Sequence, residues 1–474
     1  MRKFHIPALI IILSLNCLAQ SGRTGQKTTV SADSTTNELN NLTAEQMFNE
    51  ANNYTKVKIE EFKVKKVPYT DELYKSTVLE QKLLAAKYAA HLSSRKNLSP
   101  ADFYYLGMLH SIAENVEGAS EAFGKFLSSE RADAEKSQTA RAALVIAAAR
   151  KKRFDEAEKT LTEYLKNQPS KMSERLKMAT ELAENYKAEK NFTKAAVHAQ
   201  DAYNTAKALF KDEPSRVRAL NQVLGTGMEV FDIYRTSKNQ TEADAALDDL
   251  RKMGVAVESN SLYFSAVDRK IKHLIETGRK PLGLQLYAET LGNLKKDFVS
   301  KPLQEDIERN LKKREKHYKI LGEQAIEFQN IERWFPGEAK TFAQMRGKVV
   351  FLDFWATWCG PCIAAFPALV EMQKSYQEEG LVILGVTRWY YQVEGMSADE
   401  NAEFDFLKKF RKAYGLPYDF VVAKGQANQE NYGANGIPTA VLIDRKGIIR
   451  YVETGSGASR ELQIQKEIEK LLSE

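Results

Sequence analysis

The sequence predicts a multidomain protein, an N-terminal all-α region of helical hairpins followed by an α/β domain with a mixed sheet. Three observations predict it. Residues 43–320 place Leu, Ala, Tyr and Phe at three- and four-residue spacings among Lys and Glu, the period of amphipathic helices. Inside that stretch a short motif recurs at a fixed interval. Across residues 325–474, short apolar runs of strand length alternate with helical patterns, as buried central strands require.

Composition bounds what such a chain does. The 474 residues are 43% hydrophobic and 28% charged, with 25 Gly and 12 Pro, which fits globular domains and neither a collagenous nor a wholly disordered chain. Three Cys are too few for a disulfide-stapled scaffold. With 69 Lys and Arg against 63 Asp and Glu, the net charge of +6 is too mild to announce a nucleic-acid partner.

The first element, residues 1–19, reads as a signal peptide. Arg2 and Lys3 supply the positive region, Ile6 to Leu15 is mostly apolar, and Cys17-Leu18-Ala19 resembles the small-x-small pattern of a cleavage site ahead of Gln20. The apolar run is shorter than the about 18 to 20 residues that cross a bilayer, so cleavage is expected rather than a membrane anchor. Cys17 as a lipoprotein cysteine is the alternative, against which Asn16 stands where such signals carry Gly, Ala or Ser. The mature protein is therefore expected outside the cytoplasm, in a periplasmic or otherwise extracytoplasmic compartment. Residues 20–42, rich in Ser, Thr, Gln, Asn and Gly, read as a flexible leader with too little apolar surface to order.

The helical region follows. Val116-Glu117-Gly118-Ala119, Phe154-Asp155-Glu156-Ala157 and Phe192-Thr193-Lys194-Ala195 share a large residue followed three positions later by Ala, and successive alanines stand 38 residues apart. A small residue there lets two helices approach while the large one fills the groove beside it. The pattern resembles tetratricopeptide (TPR-like) hairpins, whose unit is about 34 residues, with weaker echoes at Thr241-Glu242-Ala243 and from Gly278 to Leu286. The resemblance implies a surface for a peptide or protein partner; a plain helical domain with similar hairpins is the alternative. The basic cluster Lys312, Lys313, Arg314, Lys316 and Lys319 interleaves with Glu305, Glu308 and Glu315 without stacking aromatics, and reads as a solvated helix leading into the next domain.

In the last domain, Val349-Val350-Phe351-Leu352 and Leu381-Val382-Ile383-Leu384 are strand candidates. Thr439–Ile443 and Ile448–Val452 flank the hairpin turn Asp444-Arg445-Lys446-Gly447. Between a strand and a helix lies Trp358-Cys359-Gly360-Pro361-Cys362. Two thiols at this spacing on a helix N-terminus can close a small disulfide, and the helix dipole favours the thiolate of the first. Cys359 is expected as the accessible nucleophile and Cys362, one turn in and more buried, as the thiol that resolves a mixed disulfide. Zinc would need further ligands, and the six His, at 5, 91, 110, 198, 273 and 317, all lie before this domain; neither a metal nor another cofactor is called for.

Asp353-Phe354-Trp355-Ala356-Thr357-Trp358-Cys359-Gly360-Pro361-Cys362 resembles the active-site strand and turn of thioredoxins, and Gly436-Ile437-Pro438-Thr439 resembles their cis-proline loop. Pro367 falls where the active-site helix of these proteins is commonly kinked. Gly347-Lys348-Val349-Val350 and Val441-Leu442-Ile443-Asp444-Arg445-Lys446-Gly447 resemble the exported TlpA-type subfamily. The likeness covers about residues 325–474 and implies a thioredoxin fold, a Cys359–Cys362 redox disulfide and thiol–disulfide exchange with protein substrates. It implies that Asp353 is a buried carboxyl exchanging protons with Cys362, a position where TlpA-type members more often carry Asn. It also implies that Trp358, Gly360, Pro361, Ile437 and Pro438 border the substrate, Ile437 offering backbone to an extended peptide. Trp389-Tyr390-Tyr391-Gln392 and the acidic helix after Asp399, within 388–410, are extra to a minimal thioredoxin and are expected to shape partner choice.

Together these imply an exported thiol–disulfide oxidoreductase, a reductase by its Cys-Gly-Pro-Cys motif, fed by a membrane electron donor in an oxidising compartment. Two alternatives stand beside it. In one, the helical region is a scaffold and the thioredoxin fold only a binding module. In the other the site is a peroxidase, against which Leu352 and Ala356 occupy positions where peroxidatic sites place Pro and Thr or Ser.

Overall fold

The computed structural model describes residues 39–474, apart from 69, 130 and 131. The expected signal peptide, with Cys17, and the leader up to residue 38 lie outside the described residues. Among those described, no helix is long and apolar enough to cross a membrane. The chain divides between Pro169 and Ser170 into two compact units.

The first unit holds α1 (Ala44–Val64), α2 (Asp71–Ser93), α3 (Pro100–Ile112), α4 (Val116–Leu127), α5 (Ala134–Arg150) and α6 (Phe154–Lys166). The second opens with α7 (Met172–Ala188), α8 (Phe192–Leu209), α9 (Arg216–Thr236), α10 (Gln240–Ala256), α11 (Asn260–Glu276), α12 (Lys280–Asp297) and α13 (Lys301–Ile320). Thr43 and Gln46 show how these helices start: the Thr43 hydroxyl accepts the Gln46 N–H at 3.1 Å while the Gln46 side chain accepts the Thr43 N–H at 2.8 Å.

The repeat read from the sequence is a repeat of turns. Glu114, Lys152, Lys190 and Lys238 each take a left-handed φ of 57–61° two residues before the second helix of a hairpin, and Gly278 takes 78°. The next N–H in each turn reaches back to the preceding helix, as from Asn191 to the Tyr186 carbonyl at 2.9 Å. Four residues into those second helices stand Ala119, Ala157, Ala195 and Ala243, all at most 1% exposed. The next hairpin has Gly283 there, where even a Cβ would come within 3.1 Å of the Ile271 carbonyl. The small residue is what close helix approach requires.

The second unit continues with a six-stranded mixed sheet in the order β1-β6-β3-β2-β7-β8. Its strands are β1 (Ile331–Phe335), β2 (Val349–Phe354), β3 (Leu381–Arg388), β6 (Asp419–Ala423), β7 (Thr439–Ile443) and β8 (Ile449–Thr454), while β4 (Gln392–Val393) and β5 (Met396–Ser397) form a separate hairpin. The helices are α14 (Gly360–Tyr376), α15 (Glu400–Ala413), α16 (Ala427–Tyr432) and α17 (Ala458–Ser473). β2 is parallel to β3 and antiparallel to β7. The turn into β8 is fixed by Asp444, whose carboxylate accepts the N–H groups of Lys446 and Ile448, both at 2.9 Å, and by Gly447 at φ +73°.

Strand alternation gives the sheet two faces. One buries Val349, Phe351 and Leu442 with both cysteines and with Ile464, Ile468 and Leu471 of α17. The other buries Val350, Leu352, Phe354 and Val441 in one continuous core with Tyr263, Ile271, Ile275, Ile307, Leu311 and Tyr318 of α11 and α13. The charged helix α13 is thus solvated on one side only. Lys312 and Lys319 pair along the surface with Glu308 and Glu315 at 2.6 Å, whereas Arg314 pairs with Glu453 of β8 and His317 is 2% exposed.

His317 Nε2 donates to the Gly433 carbonyl at 2.8 Å, and its Nδ1 is buried without a hydrogen-bond partner. Burial pushes the imidazole down to about 4, so the unfolded chain takes up a proton near pH 6.5 that the folded chain refuses. Stability from this group is complete above pH 6.5 and is lost as pH falls to about 4, by about 3 kcal/mol. His317→Gln is expected to lose correspondingly less stability than wild type between pH 7.5 and 4.5 in urea titrations. Identical acid losses would show that His317 stays neutral for no energetic reason.

Candidate active site

The site is built where β2 runs into α14. The strand is buried at all six positions, and Trp355 just beyond it is 1% exposed, its indole against Phe366, Phe410 and Phe420 at 5.5, 5.4 and 4.8 Å between ring centres. That anchor leaves a short turn before the helix. Cys359 caps α14, its Sγ accepting the Cys362 N–H at 3.2 Å, and Pro361 sits in the first turn, where a missing N–H costs nothing.

Cys359 and Cys362 are joined as a disulfide. Both are buried, at 4% and 1% exposure, so the accessibility expected of Cys359 is not present in the oxidised state. The cause is local: its side chain turns inward both to cap the helix and to meet the buried Cys362 sulfur. The positive end of α14 faces the pair, an environment that favours a thiolate once the disulfide opens.

Asp353 lies on the same sheet face as the cysteines by alternation, and is 4% exposed. Its neighbours across the sheet are Gly385 on β3 and Ala440 on β7. Gly385 is required there, since a Cβ would fall 2.8 Å from the Trp355 indole nitrogen. Burial pushes the Asp353 carboxyl up to about 7, with the Arg460 guanidinium pulling the other way. The nearby Tyr418 phenol is held well above its ordinary value by burial and by Asp353.

The remaining expected residues gather around this turn. Trp358 is 54% exposed, Gly360 and Pro361 are exposed beside it, and the Ile437–Pro438 bond is cis, with Ile437 half-buried and Pro438 buried. Thr439 pairs with Phe354, which sets the Ile437-Pro438 corner next to the end of β2.

Three contributors escaped the sequence. Glu403, 3% exposed at the start of α15, accepts the N–H of Tyr390 at 3.1 Å and of Tyr391 at 2.7 Å. It thereby fixes the loop that places Tyr390 edge-on against Trp358 at 5.3 Å, with the Arg388 guanidinium over the Tyr390 ring at 4.4 Å. Tyr418 and Arg460 are the other two. Only Arg460 carried a signal, a basic residue in the first turn of a helix, where the dipole disfavours it.

Residues 323–469 match the family model described as Redoxin. The thiol-disulfide oxidoreductase ResA of Halalkalibacterium halodurans is 32% identical over 28% of this chain and 68% of its own length. The ResA of Bacillus thuringiensis is 32% identical over 28% of this chain and 70% of its own. Among solved structures, a thiol-disulfide isomerase from Corynebacterium glutamicum is 23% identical over 32% of this chain and 97% of that one, with a TM-score of 0.27. The family model and the two ResA relatives place the C-terminal part: through it the chain belongs to the redoxin family of thioredoxin-like thiol–disulfide oxidoreductases.

Proposed function

We propose that this oxidoreductase works outside the cytoplasm as a reductase of protein disulfides, through its Cys-Gly-Pro-Cys pair. The observation that carries the reading is the cysteine pair capping α14 on the sheet face that also holds a buried carboxyl titrating near neutrality. Cys359 thiolate attacks a substrate disulfide, one substrate sulfur leaves, and a mixed disulfide forms. Cys362 gives its proton toward Asp353, attacks Cys359 Sγ, and releases the second substrate thiol as the Cys359–Cys362 disulfide closes. The oxidised pair is then re-reduced by a donor, which the extracytoplasmic setting implied by the N-terminal sequence places in the membrane. Trp358, Gly360, Pro361, Ile437 and Pro438 border the substrate chain, and the TPR-like hairpins of residues 43–320 offer a surface for a peptide or protein partner.

The test is the reduction potential of the Cys359–Cys362 pair, measured on the mature protein in thiol–disulfide buffers of known poise. A value near about −270 mV is expected, that of a thioredoxin-like reductant; one at or above about −150 mV would make the protein an oxidant or isomerase. Cys359→Ser is expected to abolish reduction of insulin disulfides, and retained turnover would overturn the role of the pair.

A further inference from the structure

We propose that Glu403 is a positioning residue for client docking: its buried carboxylate fastens the loop after β3 so that Tyr390 backs Trp358, and the indole stands as a fixed wall beside Cys359. The inference rests on the exchange of disulfides with protein clients proposed above, and deepens it by naming what holds the exposed aromatic of that site in place.

The need for a backstop comes from Trp358. Trp355 and Trp389 are each 1% exposed, whereas Trp358, the residue before Cys359, is 54% exposed. A large ring that open samples several orientations, and a client docking on it has to fix one of them. Its ring contact among the described residues is Tyr390, edge-on at 5.3 Å and 89°. Tyr390 is half-buried and carries the Arg388 guanidinium over its ring at 4.4 Å.

Backbone puts Tyr390 there. Trp389 anchors the loop where it leaves β3, its indole N–H donating to Glu332 at 2.8 Å. Two residues on, Tyr391 takes a left-handed φ of +55°, which a bulky side chain avoids unless its surroundings impose it. Glu403 imposes it. From the first turn of α15 its carboxylate accepts the Tyr390 N–H at 3.1 Å and the Tyr391 N–H at 2.7 Å. Successive amides turned to one point form an anion-binding nest, and here the anion belongs to the chain itself. The carboxylate is 3% exposed, and a buried charge is costly unless its oxygens are filled, so it holds these amides firmly. Two further bonds keep the parts in register: the Ala398 N–H donates to the Tyr391 carbonyl at 2.9 Å, and Asp399 caps α15 by accepting the Ala402 N–H at 2.8 Å.

The consequence falls on docking, with the sulfur chemistry left to the cysteines. Glu403 acts through Tyr390, so that two aromatic side chains are ordered before a client arrives. That removes the entropy cost of fixing them at the moment of binding. Gln at 403 keeps the length but turns an NH₂ donor toward amides that are themselves donors. Tyr391 then has nothing to hold its left-handed φ, and both rings loosen.

The test uses the full mature chain with Glu403→Gln, Tyr390→Leu, the double variant, and Asp405→Asn, which removes an exposed acid of the same helix. Insulin turnover is followed with dithiothreitol as reductant. Fluorine NMR of fluorotryptophan-labelled protein reports Trp358, its signal identified by its loss in Trp358→Phe. E403Q and Y390L are each expected to raise KM for insulin by about tenfold, with kcat within about twofold of wild type. The double variant should add little to either, since both act through one ring, and D405N should match wild type. The Trp358 signal should move in E403Q and Y390L and stay in D405N. An unmoved Trp358 signal in E403Q, or KM losses that multiply in the double variant, overturns the proposal. So does D405N reproducing E403Q, which would put the effect in the charge of α15. If the wild type does not reduce insulin, the reductase reading fails; the fluorine signals, and KM for oxidation of a dithiol peptide by the disulfide form, then decide on Glu403. If E403Q does not fold, Y390L decides: an unchanged KM and an unmoved Trp358 signal overturn the proposal.

Discussion

Asp353→Asn is expected to stabilise the disulfide-intact protein by as much as about 4 kcal/mol at pH 8 and by nothing measurable at pH 3.5. The carboxyl sits near 3.8 in the unfolded chain and near 7 in the folded one. Below the lower value both states hold the proton and the group is neutral toward folding. Between the two, the unfolded chain ionises while the folded chain cannot, so rising pH drains stability. Above about 7 the loss is complete, and at about 1.4 kcal/mol for each pH unit it approaches 4 kcal/mol. Asn keeps the shape and never ionises, so the variant escapes the loss. Denaturant titrations of both proteins at the two pH values, followed on the transition of the second unit, check this. An equal increment at both would mean that Asp353 ionises in the fold without cost, and that its burial has been misjudged. The same substitution removes the proton acceptor proposed for Cys362, so a gain in stability should accompany slower resolution, the trade expected of a polar group buried for chemistry.

What the sequence could and could not reveal follows from how far apart the interacting residues stand. Cys359, Pro361 and Cys362 act within one helical turn, and their arrangement is legible in the spacing alone. The hairpin repeat is legible for the same reason, since the small residue at 119, 157, 195 and 243 and the turn before it are local requirements. Asp353 was reached through the resemblance of residues 353–362 to the active-site strand and turn of thioredoxins. By contrast, Glu403 works on amides 12 and 13 residues away, and Lys272 meets a carboxylate 181 residues away. No composition or periodicity encodes such pairs. α13 shows the limit well: its Lys–Glu pattern announces a solvated helix, and the inward Arg314, paired with Glu453, does not differ in kind from the cations that face water.

That helix sets the second large expectation. A fragment of residues 170–474 should fold cooperatively and keep its redox activity, whereas one beginning at 325 should be destabilised to the point of aggregation or partial unfolding. The segment between α13 and β1 is no free linker. The Gly322 N–H bonds to the Ile449 carbonyl at 2.8 Å and the Ile449 N–H to the Glu323 carbonyl at 2.9 Å, so a fragment that starts at 325 loses the pairing at the start of β8. It also removes Tyr318, Ile320 and Leu321, all buried in the core that covers Val441, Ile449 and Val452. Re-exposing large apolar side chains costs roughly 1.5–3 kcal/mol each, so three or four of them weigh about as much as the 5–15 kcal/mol that holds a typical domain together. Glu453 would lose both Lys272 and Arg314 at once, leaving a carboxylate largely buried and unpaired beside Arg460. Thermal and urea unfolding of the two fragments, each with its disulfide intact, decide the matter. If the 325–474 fragment melts within a few degrees of the 170–474 fragment, α11 and α13 merely lean on the sheet. If it does not, the helices are part of the fold that carries the two cysteines, and any change that loosens them strips cover from the sheet face opposite the disulfide.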